Sequence, residues 1–202
     1  MRNKYHIKNN KKVFLYPKEW KSFFNKLTET QQPYFKIVIN TGGRINEILN
    51  VTPDDINEER KQLTFRIVKV RTKLKERRPT PRTIQISSEC TSWLMRYIKR
   101  HSISKKTPIS QISKGTIQRL MKEHLKDIRK KDWNDFSSHN IRKTHGNWLL
   151  ALAVDGQEVA TRLGHDMNTM IKAYVSATLF NMEDRILIRE ELGDLYKDIA
   201  RY

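Results

Sequence analysis

One cysteine in 202 residues, Cys90, is too few for an internal disulfide. The six histidines are scattered and fall with it into no zinc-ligand spacing. No run of about 18 apolar residues and no signal-peptide core occurs, which removes the usual sequence grounds for a membrane span or a secretory leader. There is no internal repeat, no P-loop and no cluster of carboxylates for a catalytic metal. Acidic residues are scarce as well, 22 against 40 lysines and arginines, so the net charge is +18 and the pI about 10.1. A compact chain with that surplus repels itself, and its usual reason is a polyanionic partner. Nucleic acid comes first, because each neutralised phosphate releases condensed counterions. An anionic membrane is the rival, and it lacks any apolar anchor here. The expectation is a reducing, intracellular, cytoplasmic setting and a metal-free, cofactor-free protein that binds DNA.

What is present fits one domain: 37% hydrophobic residues are enough for a single core. Residues 1–16 open with a basic stretch without an acid and read as an arm or linker remnant. Trp20, Phe23, Phe24 and Leu27 then follow at helical spacing after Pro17. Residues 33–51 predict two helices broken at Gly42-Gly43, with Ile45, Ile48 and Leu49 on the apolar face of the second. TPDDIN is a turn. The period then changes to alternation, predicting an antiparallel hairpin over 62–70 and 82–87 with a long basic loop. Helices are expected at 88–100, 114–130 and 139–153, the last capped by Ser137 or Ser138. Asp155 opens a short helix that Gly164 closes, and Asp166 caps another reaching Tyr174. The tail has Ile188, Leu192, Leu195 and Ile199 on one helical stripe. The fold class is therefore α+β, mostly helical, with one small antiparallel sheet near residues 62–87.

Several residues carry possible chemistry. His139 and Arg142 are three apart on one helix and so neighbours, opposite a core side of Ile141, His145, Trp148, Leu149 and Leu152. The plain alternative for the pair is a solvated helix face, whereas His145, with apolar neighbours, reads as structural. Arg44 follows the two glycines at the opening of a helix, where backbone N–H groups and a guanidinium both address an anion. Glu47, one turn on, is placed to hold it. From Lys69 to Arg82, seven of 14 residues are basic (Lys69, Arg71, Lys73, Lys75, Arg77, Arg78 and Arg82), and on a projecting hairpin they suit phosphate contact. On one straight helix His165 and Tyr174 would stand about 13 Å apart. Gly164 and Asp166 instead put His165 in a bend. Taken alone, Tyr174 at helical spacing would be a core aromatic.

Taken in order, these pieces resemble the catalytic domain of the tyrosine recombinases, the integrase and Xer-type site-specific DNA recombinases. The resemblance covers residues 17–180 and rests on TGGRINEIL, HNIR, LGH and the tyrosine nine positions after His165. It implies that Arg44 and Arg142 clamp the scissile phosphate, that His139 and His165 hydrogen-bond it, and that Glu47 supports the arginines. Tyr174 would be the nucleophile, and a hairpin lysine the acid for the 5′-hydroxyl leaving group. Lys73 fits that role best, with Lys75 second. Lys69, Arg71, Lys75, Arg77, Arg78 and Lys143 would contact DNA.

The implied activity is cleavage and rejoining of double-stranded DNA through a 3′-phosphotyrosine, in a tetramer on two sites, without ATP, metal or small-molecule substrate. Two other readings stay open, a type IB topoisomerase-like nicking activity and a non-catalytic DNA-binding protein on the same scaffold. There are departures. Arg142 is followed by Lys143-Thr144-His145 where the family has His-Thr or His-Ser. Only residues 1–16 precede the catalytic region, where relatives carry a helical core-binding domain, so weak solo DNA binding is expected. Residues 181–202 are expected to form a terminal helix docking in cis or on a neighbouring protomer.

Overall fold

The computed structural model describes residues 14–66, 81–129, 134, 136–164 and 179–196, and the backbone of 7–8 and 11–12. Two two-residue strands, β1 (Ile7–Lys8) and β2 (Lys11–Lys12), pair antiparallel, so part of the basic arm is a hairpin. Helix α1 (Pro17–Asn25) starts on a proline, whose missing N–H costs nothing in a first turn. The Glu19 carboxylate accepts from the Tyr16 backbone N–H at 2.9 Å and completes that start. Helix α2 (Gln32–Thr41) is the central element: Tyr34, Phe35, Ile37, Val38 and Ile39 are all fully buried. It stops at Gly42, which takes the left-handed conformation at φ 63°. After Gly43 the chain turns into the short α3 (Ile45–Ile48), so the expected break between two helices is present.

A 3₁₀ turn at Pro53–Asp55 leads to β3 (Ile56–Asn57), β4 (Gln62–Phe65) and β5 (Arg82–Gln85). They form one antiparallel sheet in the order β3-β4-β5, with Leu63 opposite Ile84 and Phe65 opposite Arg82. The expected hairpin is there. Its third strand, β3, is two residues long and reads in sequence as a turn. The outer reaches of the expected strands and the basic loop, 67–80, lie outside the described residues.

Helices α4 (Ser88–Arg100), α5 (Lys114–Ile128), α6 (Ser138–Ala151) and α7 (Gly156–Leu163) follow. Three N-caps are made as hydrogen bonds, of which that by Asp155 was the expected one. Ser87 accepts from Cys90 N, Ser113 from Thr116 N, and Asp155 from Gln157 N and Glu158 N. Helix α6 packs along α2 and ties down the chain before α1. Thr144 Oγ1 accepts from Leu15 N at 2.9 Å, and Trp148 Nε1 donates to Leu15 O at 3.0 Å. Both backbone groups of a fully buried residue are thereby satisfied.

The last described segment, α8 (Met182–Leu192) with a 3₁₀ turn at Gly193–Tyr196, lies against α1, α2, α4 and α6 of the same chain. Ile188 and Leu192 are buried as their stripe predicts. Lys36 pairs with Glu191 at 2.7 Å, and Asp194 accepts from Ser88 N at 2.8 Å, capping α4 from a distance. Among the described residues no helix is long and apolar enough to cross a membrane.

Trp148 is fully buried, donates one hydrogen bond and meets Trp20 edge-on at 6.3 Å. Trp148→Ala should cost about 3–5 kcal/mol in urea unfolding. Ile186→Ala, on a side chain 51% exposed, should stay within about 0.5 kcal/mol.

Candidate functional site

The site begins with the end of α7. The last carbonyls of a helix have no partner inside it, and they carry the negative pole of its dipole. Here Gly164 leaves the helix at φ 61°, and its N–H returns to Ala160 O and Thr161 O. The next three carbonyls are each met by an arginine from elsewhere. Arg82 Nη1 donates to Arg162 O, Arg142 Nη2 to Leu163 O, and Arg44 Nη2 to Gly164 O at 3.3 Å. Arg142 also donates to Gly42 O at 2.6 Å, so the residue that ends α2 and the residues that end α7 share one guanidinium.

Arg44 is the N-cap residue of α3, in extended conformation. The Glu47 carboxylate accepts from Arg44 N at 2.7 Å and from Arg44 Nη1 at 2.9 Å. One carboxylate therefore closes the first turn of α3 and fixes the guanidinium that leaves it. Its second oxygen also accepts from Arg82 Nη2 at 2.7 Å. Glu47 is 3% exposed, and a buried acid held by two guanidiniums is what such burial requires.

Arg44, Glu47, His139 and Arg142 line one cavity of about 470 Å³, with Gly43, Ile45, Asn46 and Ser138. His139 stands in the first turn of α6, exposed at the cavity's edge. Desolvation, then the charges of Lys143, Arg142 and Arg44, hold its pKa below the ordinary histidine value. It is therefore neutral at pH 7, with one ring nitrogen open to a proton. Arg142 is 2% exposed. That sets aside the plain alternative of a solvated helix face for this residue: α6 turns Arg142 inward, under Gly42 and the end of α7.

The expectation for His145 agrees with its surroundings. It is fully buried; Nδ1 lies 2.7 Å from Ile39 O, and Nε2 accepts from Arg162 Nε at 3.1 Å. A donor on one nitrogen and a carbonyl at the other define the neutral tautomer protonated at Nδ1. Burial, and next the Arg162 charge, push its pKa well below the ordinary value.

Two residues of this network were not singled out from the sequence. Arg82 was counted among the loop charges, yet its side chain is 15% exposed and it lies over the Phe65 ring at 5.2 Å. The signal available was alternation: Arg82 shares the inward face of β5 with buried Ile84. Arg162 sits one residue before buried Leu163 and donates to Asn40 O at 2.8 Å as well as to His145. Lys143 is half-buried on α6. The remaining candidates, Lys69, Arg71, Lys73, Lys75, Arg77, Arg78, His165 and Tyr174, lie outside the described residues. Among the described residues no group of three or more metal-ligating side chains occurs.

A model of the phage integrase family matches residues 13–179. The Tn1549 transposon integrase, solved in complex with transposon right-end DNA, is similar in fold at a TM-score of 0.64 and 17% identity. That match covers 91% of this chain and 67% of the other. XerA recombinase is similar at 0.63 and 18%, with 90% and 63% covered. XerH site-specific recombinase, bound to its difH substrate before cleavage, is similar at 0.61 and 17%, with 89% and 54% covered. The chain thus spans from about half to two thirds of those molecules, and the agreement with them is one of fold. No curated protein sequence matches the chain.

His145 gives a pH test. A histidine whose folded pKa is depressed leaves the unfolded chain binding more protons, so stability falls as pH drops below the unfolded value near 6.5. Wild type should lose about 1.4 kcal/mol from this one group between pH 7.5 and 5.5. The stability deficit of His145→Asn, from urea unfolding, should shrink by that amount over the same range. A deficit that stays constant would mean that the folded imidazole takes up its proton freely.

Proposed function

Since the chain belongs to the phage integrase family, we propose that it is a site-specific DNA recombinase of the tyrosine class. The observation that carries this reading is the convergence of Arg44, from the start of α3, with His139 and Arg142 of α6 on one cavity. In that cavity the scissile phosphate is held by the two guanidiniums, which suit its non-bridging oxygens in shape and charge. Their backbone and Glu47 contacts fix them beforehand, so little reorganisation accompanies the reaction. Neutral His139 hydrogen-bonds the phosphate at the rim, and His165, next in sequence after the Gly164 cap, is the second imidazole assigned to it.

The chemistry is an in-line displacement. The Tyr174 phenolate oxygen attacks phosphorus, the bond from phosphorus to the 5′ oxygen breaks, and Lys73 delivers a proton to that oxygen. The products are a 3′-phosphotyrosine and a free 5′-hydroxyl. An ordinary phenol, with a pKa near 10, attacks poorly at pH 7, so the surrounding cations favour the phenolate and a neutral imidazole accepts its proton. Attack by a 5′-hydroxyl of the partner duplex reverses the step, and no bond energy is lost. The DNA is double-stranded, and exchange takes place in a tetramer on two sites, in the cytoplasm or nucleoid where mobile-element DNA lies. Residues 17–180 form the catalytic unit, with Lys69, Arg71, Lys75, Arg77, Arg78 and Lys143 on the DNA backbone.

Tyr196 is a poor substitute for Tyr174: it is 3% exposed, and burial raises its phenol above the ordinary value. On a nicked suicide duplex, wild type should form a covalent protein–DNA adduct. Tyr174→Phe should bind the duplex with unchanged Kd and form none; an adduct that survives the change overturns the assignment. Lys73→Ala and Lys75→Ala separate on a duplex with sulfur at the 5′ bridging position, a leaving group that needs no proton. Lys73→Ala should regain its rate there, and rescue of Lys75→Ala instead would move the acid to Lys75.

A further inference from the structure

Arg82 is held as firmly as the arginines of the cavity and does not line it. It starts β5, opposite Phe65 of β4, and its guanidinium lies over that ring. One terminal nitrogen donates to Glu47 Oε2 at 2.7 Å and the other to Arg162 O. The same Oε2 accepts from the Arg44 backbone N–H at 2.7 Å, and the other oxygen, Oε1, from Arg44 Nη1 at 2.9 Å. Phe65 is seated as well: a Cβ added to Gly43, the residue before Arg44, would come within 2.6 Å of its ring. A Cβ on Gly164 would find Arg82 Nη1 at 3.6 Å and Arg44 Nη1 at 3.9 Å, so both guanidiniums flank the end of α7.

From these contacts we propose that Arg82 is a positioning residue for strand cleavage, setting through Glu47 the aim of Arg44 at the scissile phosphate. The inference rests on the recombinase reading of the cavity. Glu47 alone could pair with Arg44 in more than one way, since a carboxylate has about four acceptor directions. With Arg82 and the Arg44 backbone N–H both on Oε2, that oxygen is full and Oε1 is left to the Arg44 side chain, whose guanidinium is directed towards Gly164 O and the cavity. Arg82 also joins the base of the basic hairpin to the end of α7, the two chain segments that lead to Lys73 and His165. Burial lowers its pKa, while the Glu47 charge opposes that shift, as expected for a cation whose role is internal.

The test measures the rate of adduct formation on a suicide duplex at saturating protein, with Kd for the same duplex measured separately. Arg82→Met keeps the length and loses both donors. It should bind with unchanged Kd and cleave about 10- to 100-fold more slowly, the cost of a misplaced catalytic group. Arg82→Lys keeps the charge but lacks the fork that reaches Glu47 and Arg162 O together, so its rate should fall between. The decisive reading is a cycle with Arg44→Lys. If Arg82 acts through Arg44, Arg82→Met slows Arg44→Lys far less than it slows wild type. Effects that multiply within about twofold overturn the proposal. So does a wild-type rate in Arg82→Met, a loss that appears only in Kd, or failure of both Arg82 variants to fold, which would make Arg82 a structural residue. Absence of an adduct from wild type itself would instead remove the recombinase reading, and this inference with it.

Discussion

The end of one short helix organises the site. Helix α7 is eight residues long, too short to be stable alone, and its last two carbonyls and that of its cap, Gly164, accept from Arg82, Arg142 and Arg44. Those arginines come from β5, α6 and the start of α3. The contact therefore works in both directions: it fixes α7, and it converts three flexible side chains into a rigid group. A long side chain costs up to about 2 kcal/mol of rotamer freedom to order. Here that cost is met in folding, before any phosphate arrives, so a bound phosphate meets guanidiniums already in place. The Gly42 turn belongs to the same arrangement. Its Cβ-less backbone lets Leu163 and His145 approach to where a Cβ would lie 2.5 and 2.7 Å from them, and its carbonyl receives Arg142.

Much of this was legible in the sequence, and what was legible shares a cause. Capping and breaking residues act locally, so Gly42, Asp155 and Gly164 could be read from their neighbours alone, and each ends or begins a helix as expected. The Arg44–Glu47 pair was legible for the same reason, because three residues of helix bring the two together. His145 could be assigned to the core from the apolar residues around it.

Long-range pairings carry no such local mark. Arg82 looked like loop charge because six other basic residues precede it between Lys69 and Arg78. Its partners Glu47 and Arg162 lie 35 and 80 positions away. A solvated face stayed open for Arg142 because helical spacing alone cannot reveal that the end of α7 crosses over that face. Strand β3 was missed because two residues give no alternation to read; it exists because Ile56 pairs with Leu63 on a hairpin already formed.

The way the arginines are held also decides what the cavity can attract. Had each been paired with a carboxylate, the cluster would be neutral and a phosphate would gain little by entering. Instead Arg44 and Arg82 share one carboxylate, Glu47, and both of them, like Arg142, also donate to backbone oxygens. Two guanidiniums on one carboxylate leave a positive surplus, and the backbone oxygens orient it without neutralising it. The pKa of His139 is lowered first by desolvation and next by Lys143, and the charges of Arg142 and Arg44 add to that shift. A buried, partly dry cluster of like charges is unfavourable by itself. On the proposed recombinase reading, a phosphodiester in this cavity would relieve the field that strains the free protein, so stability given up here would return as affinity for the phosphate and for the charge that grows on it during cleavage.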